Sequence, residues 1–414
     1  MPAVFILTAG TVGDIYPLLR IGRALRQRGH EVTFIGPELH QVHVERAGLP
    51  FRSIFSTAEH LAIMDNPDVW HPRKGFRVIL AGLRDGAARM VDLMAMLPHD
   101  GPCVMLAHPL AVPAAAIARH RHPHLRIATF YLAPSNLRSV HDPLTMGSLA
   151  IPRRLPHGAR RWLWRLLDRF LIDPAALPGV NALRRSHSLP PTAHFLEHVY
   201  ATGDISLTLF PDWFAPSSPD WPQPLHKGYF QLYDPLQDQP LPTPLREFLD
   251  AGEAPIVFTP GSGNRHAHAY FIEAQKAALR LNRRAIFLTP YREQLPPQLP
   301  ASIFRQDYVP LSSLLPRVAL LVHHGGIGTT AEALRAGVPQ LTVPLAYDQF
   351  DNAARVRRLG VGETLSLRAV RRGALARTLR GLLESAEIGR RCREMAQRFR
   401  EEDDEDALCD AIVA

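Results

Sequence analysis

The chain opens with an unbroken apolar run, Val4-Phe5-Ile6-Leu7, that stops at Thr8-Ala9-Gly10-Thr11-Val12-Gly13-Asp14. A short apolar run without polar alternation, bounded by a glycine-containing turn, predicts a strand buried on both faces. We expect a strand over 3–8, a helix over 16–29 that Gly29 closes, and a second strand over 31–35. Strand, glycine loop, helix, strand is how a doubly wound parallel sheet begins, and its ligands gather beyond the carboxyl ends of the strands. Further strands are expected at Cys103–Ala107 and Ile127–Phe130.

The same alternation restarts later. Pro255–Thr259 predicts a strand, Gly261-Ser262-Gly263 a loop, 267–282 a helix and 285–289 the next strand, so the chain is read as two α/β halves. Between them the pattern changes twice. Over 140–200, Arg153, Arg154, Arg160, Arg161, Arg165 and Arg169 interleave with Leu155, Trp162, Leu163, Trp164, Leu166, Leu167 and Phe170, a basic amphipathic helix. Such a helix suits an anionic membrane surface or the roof of an apolar pocket, and equally a core-packing helix with solvated arginines. From 211 to 255 prolines are dense enough to exclude long helices and central strands. The expected organisation is therefore a first domain over 1–215, a Pro-rich linker over 216–254, a second domain over 255–400, and a tail over 401–414 that packs back on the first. The acidic run Glu401–Asp406 is expected to be a solvated face or loop.

Composition narrows the class. At 414 residues the chain exceeds what one core usually organises, and 46% hydrophobic with 21% charged residues fits a globular enzyme. The net charge of +8 favours anionic partners. The arginines are scattered without the aromatic interleaving of single-strand binders, so nucleic acid is not expected as a partner. Cys103, Cys392 and Cys409 are widely separated, which indicates neither a disulfide framework nor a zinc site and suits a reducing cytoplasm. The N-terminus lacks the features of a signal sequence and no stretch is long enough to span a bilayer, so any contact with the inner membrane would be peripheral. His108, His120, His122, His124, His141, His194 and His198 form no metal pattern and are read as surface or packing residues.

The chemistry concentrates in 320–352, LLVHHGGIGTTAEALRAGVPQLTVPLAYDQFDN. An apolar strand at 318–322 runs into His323-His324-Gly325-Gly326-Ile327-Gly328-Thr329-Thr330, and a helix is expected over 329–336. Glycines let backbone N–H groups approach an anion and the helix N-terminus adds positive charge, so a diphosphate suits the turn, with His324 as a further donor. Glu332 is placed on the first helical turn, where a carboxylate can hold ribose hydroxyls. Gly337-Val338-Pro339 ends that helix, and Asp348-Gln349 follows the next strand.

Taken together, Tyr308-Val309-Pro310, then His324, Gly326, Thr329 and Glu332 in order, then Gly337-Val338-Pro339 and Asp348-Gln349, resemble the nucleotide-sugar signature of the GT-B fold glycosyltransferases that use UDP-sugars. The resemblance implies an α/β fold of two facing, doubly wound Rossmann-like domains, the first (1–215) holding the acceptor and the second (255–400) the nucleotide sugar. It implies that Tyr308 stacks on the base, that the Val309 backbone meets the base edge, and that His324, Gly328 and Thr329 hold the diphosphate. Glu332 would take the ribose, Asp348 and Gln349 the sugar hydroxyls, and Ser262 a second phosphate contact. Tyr308 stands where many relatives have Trp, and Gly328 where plant relatives have Asn. No metal and no cofactor are implied, the nucleotide sugar being a co-substrate.

In that family a residue after a glycine of the first loop is the base that deprotonates the acceptor, and Gly13-Asp14-Ile15-Tyr16-Pro17 is similar to the bacterial version. Asp14 is thus the catalytic candidate, with Gly13 counted to the donor site, although an Asp there also suits a plain helix N-cap. The segments 162–170, 212–230 and 348–353 further resemble the rhamnosyltransferases of rhamnolipid biosynthesis. That likeness implies inverting transfer of L-rhamnose from dTDP-L-rhamnose to a 3-(3-hydroxyalkanoyloxy)alkanoate, a hydroxy fatty acid lipid. The alternatives are glucosyl transfer from UDP-glucose to a similar lipid, a non-catalytic nucleotide-sugar-binding partner of another transferase, and an epimerase on the same architecture.

Overall fold

The central β-strands of the first half form from the short apolar runs seen in the sequence, and they pair in parallel. The computed structural model describes residues 1–71, 74–94, 101–147, 149–401 and 405–414. Strands β1 (Ala3–Leu7), β2 (Val32–Pro37), β3 (Phe51–Phe55), β4 (Cys103–Ala107) and β5 (Leu125–Tyr131) come first. A two-residue hairpin, β6 (Thr145–Met146) with β7 (Leu149–Ala150), precedes β8 (Ile205–Thr208) and β9 (Leu225–Lys227). The first sheet runs β3-β2-β1-β4-β5-β8-β9, all parallel. Of its central strands, β4 is buried throughout and β5 at every position but Arg126, as apolar runs in a sheet covered by helices should be.

The second sheet follows the same logic, with β10 (Ile256–Thr259), β11 (Ala285–Leu288), β12 (Ile303–Gln306), β13 (Leu320–His323), β14 (Gln340–Thr342) and β15 (Gly362–Thr364). Its order is β12-β11-β10-β13-β14-β15, again parallel. Phe258, Phe271, Phe287, Leu320 and Val322 fill the layer between this sheet and its helices.

Contacts divide the chain after Gln231. Residues 1–231 and the C-terminal helix Glu405–Val413 form one unit, and the chain from Leu232 through Glu401 forms the other. The stretch 216–254 is therefore not a separate linker, contrary to the expectation. Its prolines alternate with apolar anchors: Trp221 and Phe230 are buried, and β9 adds an edge strand, the sheet position that proline-rich sequence tolerates. The helix Thr243–Asp250 buries Leu245 and Leu249 beside Val257, Ile286 and Leu321 of the second unit.

The acidic run, where it is described, is helical and keeps Asp406 on a solvated face, its side chain 87% exposed. Glu405 and Asp406 open the C-terminal helix, with Glu405 3.5 Å from Arg20, and with Asp406 and Asp410 held by Arg28 at 2.6 and 2.7 Å. That helix packs on the first helix and on β4 and β8, with Leu408, Cys409 and Ile412 buried. All three cysteines are free and buried.

Two helix starts move relative to the sequence expectation. The first helix spans Val12–Gln27, because Thr11 and Asp14 close a capping box that nucleates it four positions earlier than the apolar periodicity suggests. The helix after β13 spans Ile327–Ala336, so Glu332 lies in its second turn rather than its first. Gly337, at φ +68°, ends that helix in the left-handed conformation that glycine adopts without a Cβ penalty.

Candidate active site

From β10 the second sheet winds one way through β11 and β12, and from β13 the other way through β14 and β15. That makes β10 and β13 neighbours at the switch point, with Thr259 in register with His323. The loops after them open side by side at the carboxyl edge, where such sheets receive ligands.

His323 ends β13 fully buried. Its Nδ1 accepts from the Gly325 N–H at 3.2 Å and its Nε2 faces Oε1 of Gln340 at 3.0 Å, which fixes a neutral ring with the proton on Nε2. Burial, with His324 beside it, pushes its pKa down to about 3. This histidine is a brace for the turn.

His324 is different. A Cβ on Gly261 would come 2.7 Å from its Cε1, and one on Gly326 2.5 Å from its Nε2, so the imidazole fills space that two absent side chains leave. Its Nδ1 is buried without a hydrogen-bond partner among the described residues. Burial pushes the pKa down to about 4, and the ring is uncharged at neutral pH with one nitrogen to donate.

Directly after it, Gly326 caps the helix Ile327–Ala336. Thr330 is the first residue to bond back, donating its N–H to the Gly326 carbonyl at 2.9 Å. The N–H groups of Ile327, Gly328 and Thr329 have no acceptor within the helix, and they carry the positive end of its dipole. A Cβ on Gly328 would meet nothing within 4 Å, so that first turn faces open space. Ser262 is exposed on the neighbouring loop, one residue from the Gly261 that borders His324. These groups together make an anion cradle of neutral donors and backbone N–H groups.

On the next turn Glu332 pairs with Arg335, at 13% side-chain exposure. Burial raises its pKa against the pull of Arg335, and Asp234 adds to the rise. Asp234 itself accepts the Tyr308 hydroxyl and, at 2.8 Å, the Leu236 N–H. Tyr308 thus lies 39% exposed with its hydroxyl tied down. Val309 buries its side chain, and among the described residues nothing hydrogen-bonds its backbone.

Beyond β14, Asp348 and Gln349 begin the helix Gln349–Leu359. Gln349 is buried, and its Oε1 accepts from the N–H groups of Leu345 and Ala346 at 2.8 and 3.0 Å, which closes the turn and leaves its amide nitrogen to donate. Asn352 donates to the Gly325 carbonyl at 2.9 Å and to Asp348 at 2.7 Å, tying this helix to the anion cradle. Tyr347, exposed, holds a left-handed φ of +54° that orients the turn.

The first unit has its own switch point between β1 and β4, and Asp14 lies there on the third position of the first helix. Its Oδ2 accepts from the Thr11 N–H at 2.6 Å and the Thr11 hydroxyl at 3.2 Å. Among the described residues its Oδ1 takes no hydrogen bond. A Cβ on Gly10 would fall 2.1 Å from that Oδ2, so the carboxylate lies against a loop backbone that only glycine allows. Gly13 is exposed beside it.

Histidines surround this carboxylate. His108 follows β4, donates its N–H to Leu7 at 3.1 Å, and accepts the Leu110 N–H on Nδ1 at 3.2 Å. Its neutral ring therefore carries the proton on Nε2. Burial lowers the pKa of both His108 and His60, and the Asp14 charge works against that in each. His40, buried, has its ring 5.5 Å from that of His60, and burial pushes its pKa down to about 4. Among the described residues no cluster of acidic, histidine and cysteine side chains has the geometry to hold a metal ion.

Comparison with known proteins agrees with this construction. Residues 4–122 match the glycosyltransferase family 28 N-terminal domain, and 285–413 match the erythromycin biosynthesis protein CIII-like C-terminal domain. The O-mycaminosyltylonolide 6-deoxyallosyltransferase of Streptomyces fradiae is 31% identical over 432 aligned positions, which cover 95% of this chain and 93% of that one. The chain belongs to the GT-B glycosyltransferase family. The fold agrees with the crystal structure of the glycotransferase of kitacinnamycin, at a TM-score of 0.74 and 19% identity over 100% of this chain and 98% of that one. It agrees too with the spinosyn rhamnosyltransferase SpnG complexed with thymidine diphosphate, at 0.65 and 18% identity over 99% and 98%.

Within this glycosyltransferase the second sheet gathers Ser262, Tyr308, Val309, His324, Gly326, Gly328, Thr329, Glu332, Asp348 and Gln349 around the carboxyl ends of its strands. Asp14 and Gly13 belong to the first unit. Sequence reasoning missed Asp234, Asn352 and His108. Asp234 is 74 residues from its partner Tyr308 and sits in a proline-rich stretch that carries no motif. Asn352 did have a signal, since it lies at i+4 from Asp348 and so on the same helical face. His108 follows a buried strand at its carboxyl end, a placement that could have separated it from the surface histidines.

Proposed function

We propose that this glycosyltransferase transfers L-rhamnose, with inversion, from dTDP-L-rhamnose to the hydroxyl of a 3-(3-hydroxyalkanoyloxy)alkanoate. The observation that carries the donor half is the imidazole of His324, kept neutral by burial, wedged between Gly261 and Gly326, with its Nδ1 unpartnered beside an open helix N-terminus. Such a cradle stabilises a leaving diphosphate through preorganised donors. Tyr308 would stack on the base with the Val309 backbone at its edge, and Glu332 would receive the ribose. Asp348 and the free amide of Gln349 would hold the sugar hydroxyls, Ser262 and Thr329 the phosphates.

Asp14 acts as general base in this reading. Its Oδ2 is anchored by Thr11, and its Oδ1 is left to take the acceptor proton as the hydroxyl attacks the anomeric carbon. The diphosphate departs from the opposite face, so one inversion results. Helix dipole and neutral donors meet the charge that develops on it.

Two likenesses support the sugar. The Streptomyces fradiae relative is named for a 6-deoxyallosyl group, a 6-deoxyhexose as rhamnose is, and the SpnG structure is that of a rhamnosyltransferase with thymidine diphosphate. The lipid acceptor rests on the resemblance of segments 162–170, 212–230 and 348–353. The test is direct. Purified protein is incubated with the hydroxy-lipid and either dTDP-L-rhamnose or UDP-glucose, and the product is identified by mass spectrometry. A rhamnolipid is expected; a glucolipid formed from UDP-glucose alone would overturn the donor, and no product with either would overturn the acceptor.

A further inference from the structure

The basic amphipathic segment folds as a helix over His157–Leu167, a π turn over Asp168–Ile172 and a second helix over Asp173–Ser186. Its inner face is accounted for. Arg160 is 5% exposed and bonds the carbonyls of Val140 and Arg153, and Trp164 donates its indole N–H to the Ser139 carbonyl at 3.1 Å.

Its outer face is not. Trp162 is 60% and Phe170 67% exposed, the highest exposures of any aromatic side chain among the described residues. Residues eight apart in a plain α-helix diverge by about 80° around the axis. The π turn that contains Phe170 rotates the chain less per residue, and so brings that ring back toward the line of Trp162. Alongside run Arg161, Arg165 and Arg169, all exposed. Nearby, Arg138 and Arg153 pair with Asp168 and Asp142, whereas these three pair with no carboxylate among the described residues. Arg169 instead lies over the Phe170 ring at 5.7 Å.

Unpaired guanidinium groups beside exposed aromatic rings form a face with an apolar stripe and a cationic stripe along one helix axis. Water solvates only the second of these. We propose that this face docks the protein on the surface of an anionic phospholipid bilayer, with Trp162 and Phe170 entering the interface and Arg161, Arg165 and Arg169 meeting lipid phosphates. Among the described residues no helix is long and apolar enough to cross a membrane, so the contact is peripheral. A single-stranded nucleic acid fits less well, because it needs a cationic groove that tracks the backbone between stacking platforms, and these rings stand on a convex helix.

The experiment is flotation of the full chain with phosphatidylcholine vesicles, with and without phosphatidylglycerol, in the absence of sugar nucleotide and hydroxy-lipid. Its outcome is thus independent of which glycosyl transfer the enzyme performs. Binding is expected only with phosphatidylglycerol, and is expected to weaken as salt rises. R161Q/R165Q/R169Q should weaken the partition on the order of 100-fold, and W162S/F170S at least tenfold. The two variants alter different side chains, so a folding defect in one, read by circular dichroism, leaves the other to decide. No binding to phosphatidylglycerol vesicles, equal binding to neutral ones, or full binding by a folded variant would overturn the proposal. Binding of a single-stranded oligonucleotide with no vesicle binding would reassign the face to nucleic acid.

Discussion

The Cβ that Gly326 lacks would fall 2.5 Å from Nε2 of His324. The glycine and the histidine are one device, in which the first leaves room for the ring and the second fills that room with a neutral donor. We expect His324→Ala to weaken dTDP binding by about tenfold to a hundredfold, the range for a lost buried hydrogen bond. Gly326→Ala should do the same by displacing the ring. Isothermal titration calorimetry measures both, and unchanged affinity in His324→Ala would remove the imidazole from the phosphate site.

Gly328 allows binding to be separated from folding. Its absent side chain would meet nothing within 4 Å, and alanine in a helix is better than glycine by roughly 0.5–1 kcal/mol. Gly328→Ala should therefore raise the thermal midpoint, and if the proposed diphosphate site is right it should also lower dTDP affinity, because the new methyl would crowd the helix N–H groups. A variant that is stabilised and binds as well as the parent would place the phosphates elsewhere.

Asp14→Asn keeps the shape of the capping box and removes the base. Its kcat is expected to fall by about 10²–10⁴ with dTDP affinity unchanged, as general base catalysis would have it. Gly10→Ala should mimic that loss in part, because a Cβ 2.1 Å from the Asp14 carboxylate must push it aside. If Asp14→Asn turned over at the parent rate, the residue would be a helix cap and nothing more.

Arg355 and Asp351 form an ion pair at 2.6 Å with 1% and 2% exposure. Arg355→Met takes a charge partner from Asp351 in the core, and should cost about 3–5 kcal/mol in denaturant unfolding. The double variant Arg355→Met with Asp351→Leu should recover much of this. Equal losses in the single and double variants would show that the pair is not what sets the cost.

Acid should destabilise the fold in a defined window. His40 and His324 have pKa values near 4 and His323 near 3, each lowered first by burial from an ordinary value of 6.5. The unfolded chain binds protons at these sites as pH falls through 6.5, and the folded chain does so only near 4 and 3. Stability is therefore full above 6.5 and declines down to the folded values. Thermal midpoints measured across that range should fall as pH is lowered; a flat profile would mean that these rings are charged in the fold.

The sequence disclosed more of the second unit than of the first. Buried parallel strands write themselves as uninterrupted apolar runs, and a tight turn from strand to helix needs its glycines at fixed spacing, so β10, β13 and the turn into the helix after it could be read directly. Roles divided within one side chain could not. Gln349 gives its oxygen to the backbone of Leu345 and Ala346 and keeps only its nitrogen for a ligand, a partition set by a turn that no residue spacing encodes. The pairing of Tyr308 with Asp234 was hidden for a related reason, since it joins positions distant in the chain. Trp221, Phe230 and β9 show the opposite limit: proline density predicts a linker, yet the apolar residues among those prolines are enough to anchor an edge strand.

The helix Glu405–Val413 seals the first unit by burying Leu408, Cys409 and Ile412 there and by giving Arg28 its carboxylates. On a ribosome the order of events follows from this. The half of the chain that emerges earliest must wait, with an apolar strip of its surface uncovered, until the later half has been synthesised and its final turns delivered. Premature termination shortly before residue 405 would thus injure the first unit, most of whose coding sequence would be intact, while sparing the sheet that was made just before the stop.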